Sequence, residues 1–283
     1  MENINARRRF LQTVIAGSLV SMLPGRQAAA REDAASRKKS ADRLKLGIAS
    51  YSLRKLPLTE AMQLTKRVGL EYVCLKAAHL PLDSDAAVIR KVAKSVRQTG
   101  LILYGAGVIG MKTPEEIDRA FDYAKAAGIK TIVGVPMPEL LDMVDRKVKE
   151  YDIQVAIHNH GPTDKVYPVP ATALEKIKGL DKRIGVCMDI GHTQRAGVDP
   201  SQAARQAGSR LLDVHMKDVT AATAEGRSVE VGRGVIDIPG FLKTLLAMNY
   251  DGVVSFEYEK DARNPAPGLA ESVGYVRGVL SVI

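Results

Sequence analysis

Tryptophan is absent, phenylalanine occurs four times, and cysteine only twice in 283 residues. Two cysteines cannot form a disulfide framework or a Cys-rich zinc site. The chain must therefore rely on an ordinary apolar core, which a polypeptide of this length can bury. No apolar run reaches the ~18–20 residues of a membrane span, which excludes stable membrane insertion. No G-x-G-x-x-G opens the first strand–helix unit, which argues against a dinucleotide-binding sheet. Concentrated positive charge is missing too, despite a formal net charge of +9. Residues 1–30 hold four Arg against one Glu, and residues 31–43 hold five basic against three acidic side chains, which leaves +4 on residues 44–283. That is too diffuse for a nucleic-acid stripe, so nucleic acid is not expected as a partner.

What is present at the N-terminus reads as an export signal. Arg7-Arg8-Arg9-Phe10-Leu11 fits the twin-arginine pattern. A weakly apolar stretch from Thr13 to Leu23 and a small-residue site at Ala28-Ala29-Ala30 follow. The expectation is a periplasmic protein, with a signal over residues 1–30, a solvated linker over 31–43 and a single domain over 44–283.

Within 44–283 a strand–helix rhythm repeats eight times. Strands are predicted near Leu44–Ser50, Glu71–Leu75, Ile102–Gly105, Thr131–Val135, Ile153–Ile157, Ile184–Met188, Leu212–Val214 and Val253–Phe256. Helices are predicted near Leu58–Val68, Asp85–Gln98, Pro114–Ala127, Glu139–Lys149, Ala171–Lys178, Ser201–Ala207, Ile238–Met248 and Leu269–Val279. Thr113-Pro114-Glu115-Glu116 supplies a cap, a first-turn proline and two acids where the helix dipole favours them. Gly100 and Gly128 stand where a helix ends. Strands apolar on both faces and alternating with helices belong in a parallel sheet. Eight such units in this length predict an α/β fold, a closed (β/α)8 TIM barrel.

Chemistry on that barrel sits at the C-terminal ends of the strands. All five histidines fall there: His79 after strand 2, His158 and His160 at strand 5, His192 after strand 6, His215 at strand 7. Asp189 ends strand 6, and Glu257 and Glu259 end strand 8. His158, Asp189, His215 and Glu257 come from four consecutive strands. Two imidazoles and two carboxylates suit one divalent ion such as manganese, cobalt, zinc or magnesium. Lys76, emerging from strand 2, suits an oxyanion contact or acid–base work. Tyr51 and Arg54 suit hydroxyls or a carboxylate, and Lys217 a substrate contact. Asp218 is expected to support its loop, and Gly232-Arg233-Gly234 to edge a lid. Cys74 and Cys187 lie inside strands as small core residues.

Three segments carry a family resemblance: Val186-Cys187-Met188-Asp189-Ile190-Gly191-His192, Asp213-Val214-His215-Met216-Lys217-Asp218, and Phe256-Glu257-Tyr258-Glu259. In this order and at strand ends, they resemble the sugar phosphate isomerase/epimerase family, a xylose isomerase-like TIM barrel, over about residues 44–283. The resemblance implies a metal held at His158, Asp189, His215 and Glu257, and an enediolate formed as a proton moves beside a sugar carbonyl. It also implies a small carbohydrate substrate and is compatible with a homo-oligomer.

One position departs from the family pattern. Family epimerases carry Glu-Asn-His on strand 5, where this chain has His158-Asn159-His160. The paired carboxylates of two-base epimerisation are therefore incomplete. Glu257 is expected on one face and His160 or Lys76 on the other, with Tyr51, Arg54, His79, His192, Lys217 and Glu259 around the substrate. An exported protein points away from phosphorylated sugars. The leading expectation is a metal-dependent isomerase or epimerase. A 3-keto-glycoside lyase or hydratase is the second, and a non-catalytic sugar-binding barrel the third. An endonuclease IV-type nuclease is disfavoured because strand 3 offers only Tyr104-Gly105-Ala106-Gly107.

Overall fold

The computed structural model describes residues 44–283; the expected export signal and linker lie outside the described residues. The barrel strands are β1 (Lys45–Ala49), β2 (Tyr72–Leu75), β3 (Ile102–Met111), β4 (Thr131–Pro136), β5 (Gln154–His158), β6 (Ile184–Asp189), β7 (Leu211–Met216) and β8 (Val253–Phe256). They are parallel and close in sequence order, with β1 paired to both β2 and β8. Helices α1 (Leu58–Arg67), α2 (Ala86–Gln98), α3 (Pro114–Ala127), α4 (Leu141–Tyr151), α5 (Pro170–Lys176), α6 (Ile190–Arg195), α7 (Pro200–Ala207), α8 (Ile238–Ala247) and α9 (Ala266–Leu280) alternate with them. This is the predicted (β/α)8 barrel.

Local signals explain the boundaries. The Thr113 side chain accepts from the Glu116 amide, which satisfies one orphan donor of α3, and the Glu116 carboxylate accepts from the Lys112 amide just before the cap. Gly128 ends that helix at φ 63°, a left-handed turn that costs glycine little. Three of the four phenylalanines, Phe121, Phe241 and Phe256, are fully buried. Truncating any of them costs about 3–5 kcal/mol.

Two departures from the expected elements have physical causes. Strand β3 was expected to stop at Gly105 but continues to Met111, paired along β4 as far as Pro136. Gly105, Gly107 and Gly110 look like a turn in sequence. In the fold a Cβ on Gly107 would stand 2.2 Å from the Val133 carbonyl oxygen, so this glycine serves close strand approach. The short helix α6 was not expected; the Asp189 carboxylate caps it through the His192 amide at 2.7 Å. A two-stranded antiparallel ribbon, Asp218–Val219 with Ser228–Val229, also decorates the loop after β7.

Candidate active site

Alternation along the strands places the site. Residues two apart on a strand share a face. Asp213 and His215 on β7 therefore face the same way, as do Cys187 and Asp189 on β6 and Ala156 and His158 on β5. The upper members of these pairs, with Glu257 just past β8, meet at the C-terminal end of the barrel. One ligand atom each from His158, Asp189, His215 and Glu257 lies within 4.8 Å of the others, and all four residues are buried. His158 Nε2 is 3.0 Å from His215 Nδ1. His215 Nδ1 is 3.4 Å from Glu257 Oε2, and His158 Nε2 is 3.8 Å from Asp189 Oδ2.

Lys217 closes this cluster from the same strand end. Its Nζ lies 2.8 Å from Asp189 Oδ2 and donates to Glu257 Oε2 and Glu259 Oε1 at 2.9 Å each. The expected substrate contact is thus a buried counter-ion. Burial opposes the charge on Lys217, yet Asp189 and Glu257 hold its pKa well above the usual lysine value. Burial likewise opposes ionised Glu257, but Lys217 and His215 hold its carboxyl well below the ordinary range. Burial, then the neighbouring His215, pushes the His158 pKa well down. His215 moves up: burial opposes the shift, and Glu257 outweighs it.

The donor set fits a divalent ion. Bonds of about 2.0–2.2 Å to nitrogen and oxygen put neighbouring ligands about 3–3.5 Å apart, close to the separations here. Asp189, Glu257 and Glu259 outnumber the single Lys217 ammonium, so the cluster has carboxylate charge to spare for a cation, and buried charge demands compensation. Asp189 Oδ2 is buried and makes no hydrogen bond of ordinary geometry even with the Lys217 ammonium beside it. Cys187 also lies near His158 and His215, but burial pushes its thiol up, away from the thiolate a metal would take.

The rim is divided. His160 Nδ1 is 3.2 Å from Asp164 Oδ2, and its ring stands 4.5 Å from that of His158. His192 Nε2 approaches Asp189 Oδ2 at 3.9 Å, and its Nδ1 lies 3.2 Å from an Arg195 nitrogen. On the opposite side, Lys76 and Arg54 lie 5.2 Å and 4.3 Å from the centre of the Tyr51 ring. Burial lowers the pKa of Lys76. His79 departs from its expected substrate role. Both ring nitrogens are engaged, by Ser50 Oγ at 2.9 Å and the Leu56 carbonyl at 3.1 Å, so it fastens the loops after β1 and β2. Asp218 does support its loop, accepting from the Val219, Gly232, Gly234 and Ile236 amides. Arg233 of the expected lid edge is held by Glu271.

The Asp-x-Gly-His glycine has a steric reason. A Cβ on Gly191 would meet the Lys217 stem at 2.7–3.0 Å. Gly191→Ala is therefore expected to displace Lys217 and cost about 1–3 kcal/mol, read as a lower urea midpoint. An unchanged midpoint would show that the stem gives way freely.

One buried carboxylate escaped the sequence reading. Asp213 lies one layer below His215 and accepts from the Tyr104 hydroxyl, and burial raises its pKa to about 6. The signal was there: an acid two residues before a strand-end histidine shares its face. A cavity of about 890 Å³ opens at the opposite, N-terminal end of the barrel, lined by Tyr72, Tyr104 and Tyr250 among others. The Lys45–Asp251 ion pair there is exposed, and the clustered ionisable groups lie at the other end.

Fold and site together define a (β/α)8 barrel with its ionisable cluster at the C-terminal strand ends. The chain belongs to the Xylose isomerase-like TIM barrel family, whose profile matches residues 62–279. It is 26% identical over 152 residues to the rhizopine catabolism protein MocC of Rhizobium meliloti, a match over 48% of this chain and 46% of that protein. The chain thus spans about half the length of that relative. Among solved structures, 3-keto-D-glucoside 4-epimerase from E. coli superposes with a TM-score of 0.67 at 18% identity, over 83% of this chain and 99% of that one. The probable 3-DHS dehydratase AsbF from Bacillus anthracis does so with 0.64 at 13%, over 84% and 98%. These likenesses establish the shared scaffold.

Proposed function

We propose that the chain is a divalent-metal-dependent sugar isomerase or epimerase that moves a proton at the carbon beside a carbonyl of a non-phosphorylated carbohydrate. The observation that carries this is the convergence of His158, Asp189, His215 and Glu257 within 4.8 Å. A divalent ion bound there, manganese first and magnesium, cobalt or zinc otherwise, would act as a Lewis acid toward a carbonyl oxygen. The chain's own groups do the rest. Lys217 keeps Glu257 ionised, so its carboxylate is available to take a proton. His158 turns Nε2 into the cluster and is a ligand rather than a base. His160, oriented by Asp164, is one candidate for the opposite face. Lys76, on the opposite side beside the Tyr51 ring, is the other. Tyr51, Arg54, His192 and Glu259 surround the substrate. The twin-arginine-like N-terminus supports an exported protein and hence an unphosphorylated substrate.

A second reading, elimination or hydration of a 3-keto-glycoside, is favoured by His158 itself. With histidine on β5, the site carboxylates come from β6 and β8, which suits one-base chemistry. Proton NMR in deuterated water with a 3-keto-glucoside and with D-fructose separates the two. Epimerisation is expected to place deuterium at an inverted carbon. Elimination instead gives an unsaturated sugar and a released group. Full metal occupancy with no exchange on either sugar would favour the non-catalytic binding barrel.

A further inference from the structure

The barrel interior beneath the cluster is unusually polar. TIM-barrel interiors are packed mainly by branched aliphatic side chains. Here the layer below the site holds Asp213, fully buried, with the Tyr104 hydroxyl 3.1 Å and 3.2 Å from its two oxygens. Tyr104 in turn shares a hydrogen bond with Ser255 at 2.6 Å, and the Cys187 thiol points at Asp213 Oδ2 from 3.6 Å. Small neighbours, Cys74, Ala156 and Cys187, leave the room for this group. A carboxylate held this firmly inside a core requires a role that offsets its desolvation.

That role is visible at His215. Its Nδ1 faces the cluster, 3.0 Å from His158 and 3.4 Å from Glu257. Its Nε2 is buried without a hydrogen-bond partner, and Asp213 Oδ2 lies 3.9 Å away. A neutral imidazole that offers its Nδ1 lone pair must carry its proton on Nε2. The buried N–H then has the Asp213 carboxylate as the acceptor that faces it. A metal-ligating histidine commonly gives its second N–H to such a carboxylate, which fixes tautomer and ring orientation.

We infer that Asp213 is a positioning residue for His215. It acts through Nε2 to fix Nδ1 as the ligand atom, and Tyr104 and Ser255 hold it in place. The inference rests on the metal-centre reading above. It adds a residue that does not touch substrate or ion.

The test uses Zn²⁺ alone as probe, by calorimetric titration of the metal-stripped full-length protein. Asp213→Asn keeps the shape and removes the charge. Its Zn²⁺ affinity is expected to fall about 10–100-fold, while its melting temperature in EDTA stays near that of the parent. In a His215→Ala background the same substitution is expected to have no effect on binding. Wild-type affinity in Asp213→Asn, with affinity lost in His215→Ala, would overturn the positioning role and leave the metal centre standing. Undiminished affinity in both variants would overturn the metal centre and the inference with it. Nitrogen-15 NMR of the Zn²⁺-loaded parent needs no variant. A proton on His215 Nε2 is expected, and a proton on Nδ1 would contradict the assignment.

Discussion

Lys217→Met is expected to destabilise the metal-free barrel by about 3–5 kcal/mol, the usual cost of removing one partner from a buried ion pair. The substitution leaves Asp189 and Glu257, both buried, and the partly exposed Glu259 without their shared cation. The Lys217 side chain is only 2% exposed, so bulk water does not take its place. Lys45→Met is the control. Its partner Asp251 is 88% exposed, and surface pairs of this kind contribute about 0–1 kcal/mol. Urea titrations in EDTA and with Mn²⁺ give the comparison. In EDTA the Lys217 variant should lose several times more than the control. Mn²⁺ should return a substantial part of the loss, because a dication replaces the missing charge among the same carboxylates. Equal, small losses in both variants would mean that the cluster carries no buried uncompensated charge.

Glu257→Gln is expected to slow solvent-deuterium exchange into the sugar by about 10²–10⁴-fold, the usual contribution of a positioned acid–base group. The amide matches the carboxylate in shape but cannot accept a proton from carbon. It also ends the pairing with Lys217 and the approach to His215. Lys217 keeps Asp189 and Glu259 as partners, so the fold is expected to survive, and because Glu257 also belongs to the proposed metal centre the comparison is made at equal bound metal. Exchange rates measured beside melting curves separate the two. A variant that folds and exchanges at the parent rate would remove Glu257 from the reaction.

The barrel itself was legible because each strand carries its own apolar run and each helix its own stop. Val253–Phe256 and Pro114–Ala127 match the expected bounds, because β-branched residues and a Thr-Pro-Glu-Glu start leave little choice. Strand β3 runs longer than its sequence predicts because its glycines serve strand contact, and contact with β4 is not written locally. The four clustered residues were legible because histidine and acid recur at strand ends, where the fold makes them converge. The company each keeps was not. Lys217 looks like any rim lysine in sequence, and only three-dimensional packing turns it onto three carboxylates. His79 looked like a site histidine, but Ser50 and the Leu56 carbonyl, brought by neighbouring loops, use both of its nitrogens. Asp213 was readable from its two-residue offset to His215, once interior residues are followed below the strand ends.

The central claim is that His158, Asp189, His215 and Glu257 form a single divalent-metal centre with an unusual histidine from β5. Elemental analysis of the purified full-length protein beside its His158→Ala variant tests it most directly. The expected result is one equivalent of a divalent transition metal, manganese first, per chain of the parent and a clear loss in the variant. Equal metal content in the two proteins would contradict the assignment of His158, and with it the reading of this cluster as a metal centre.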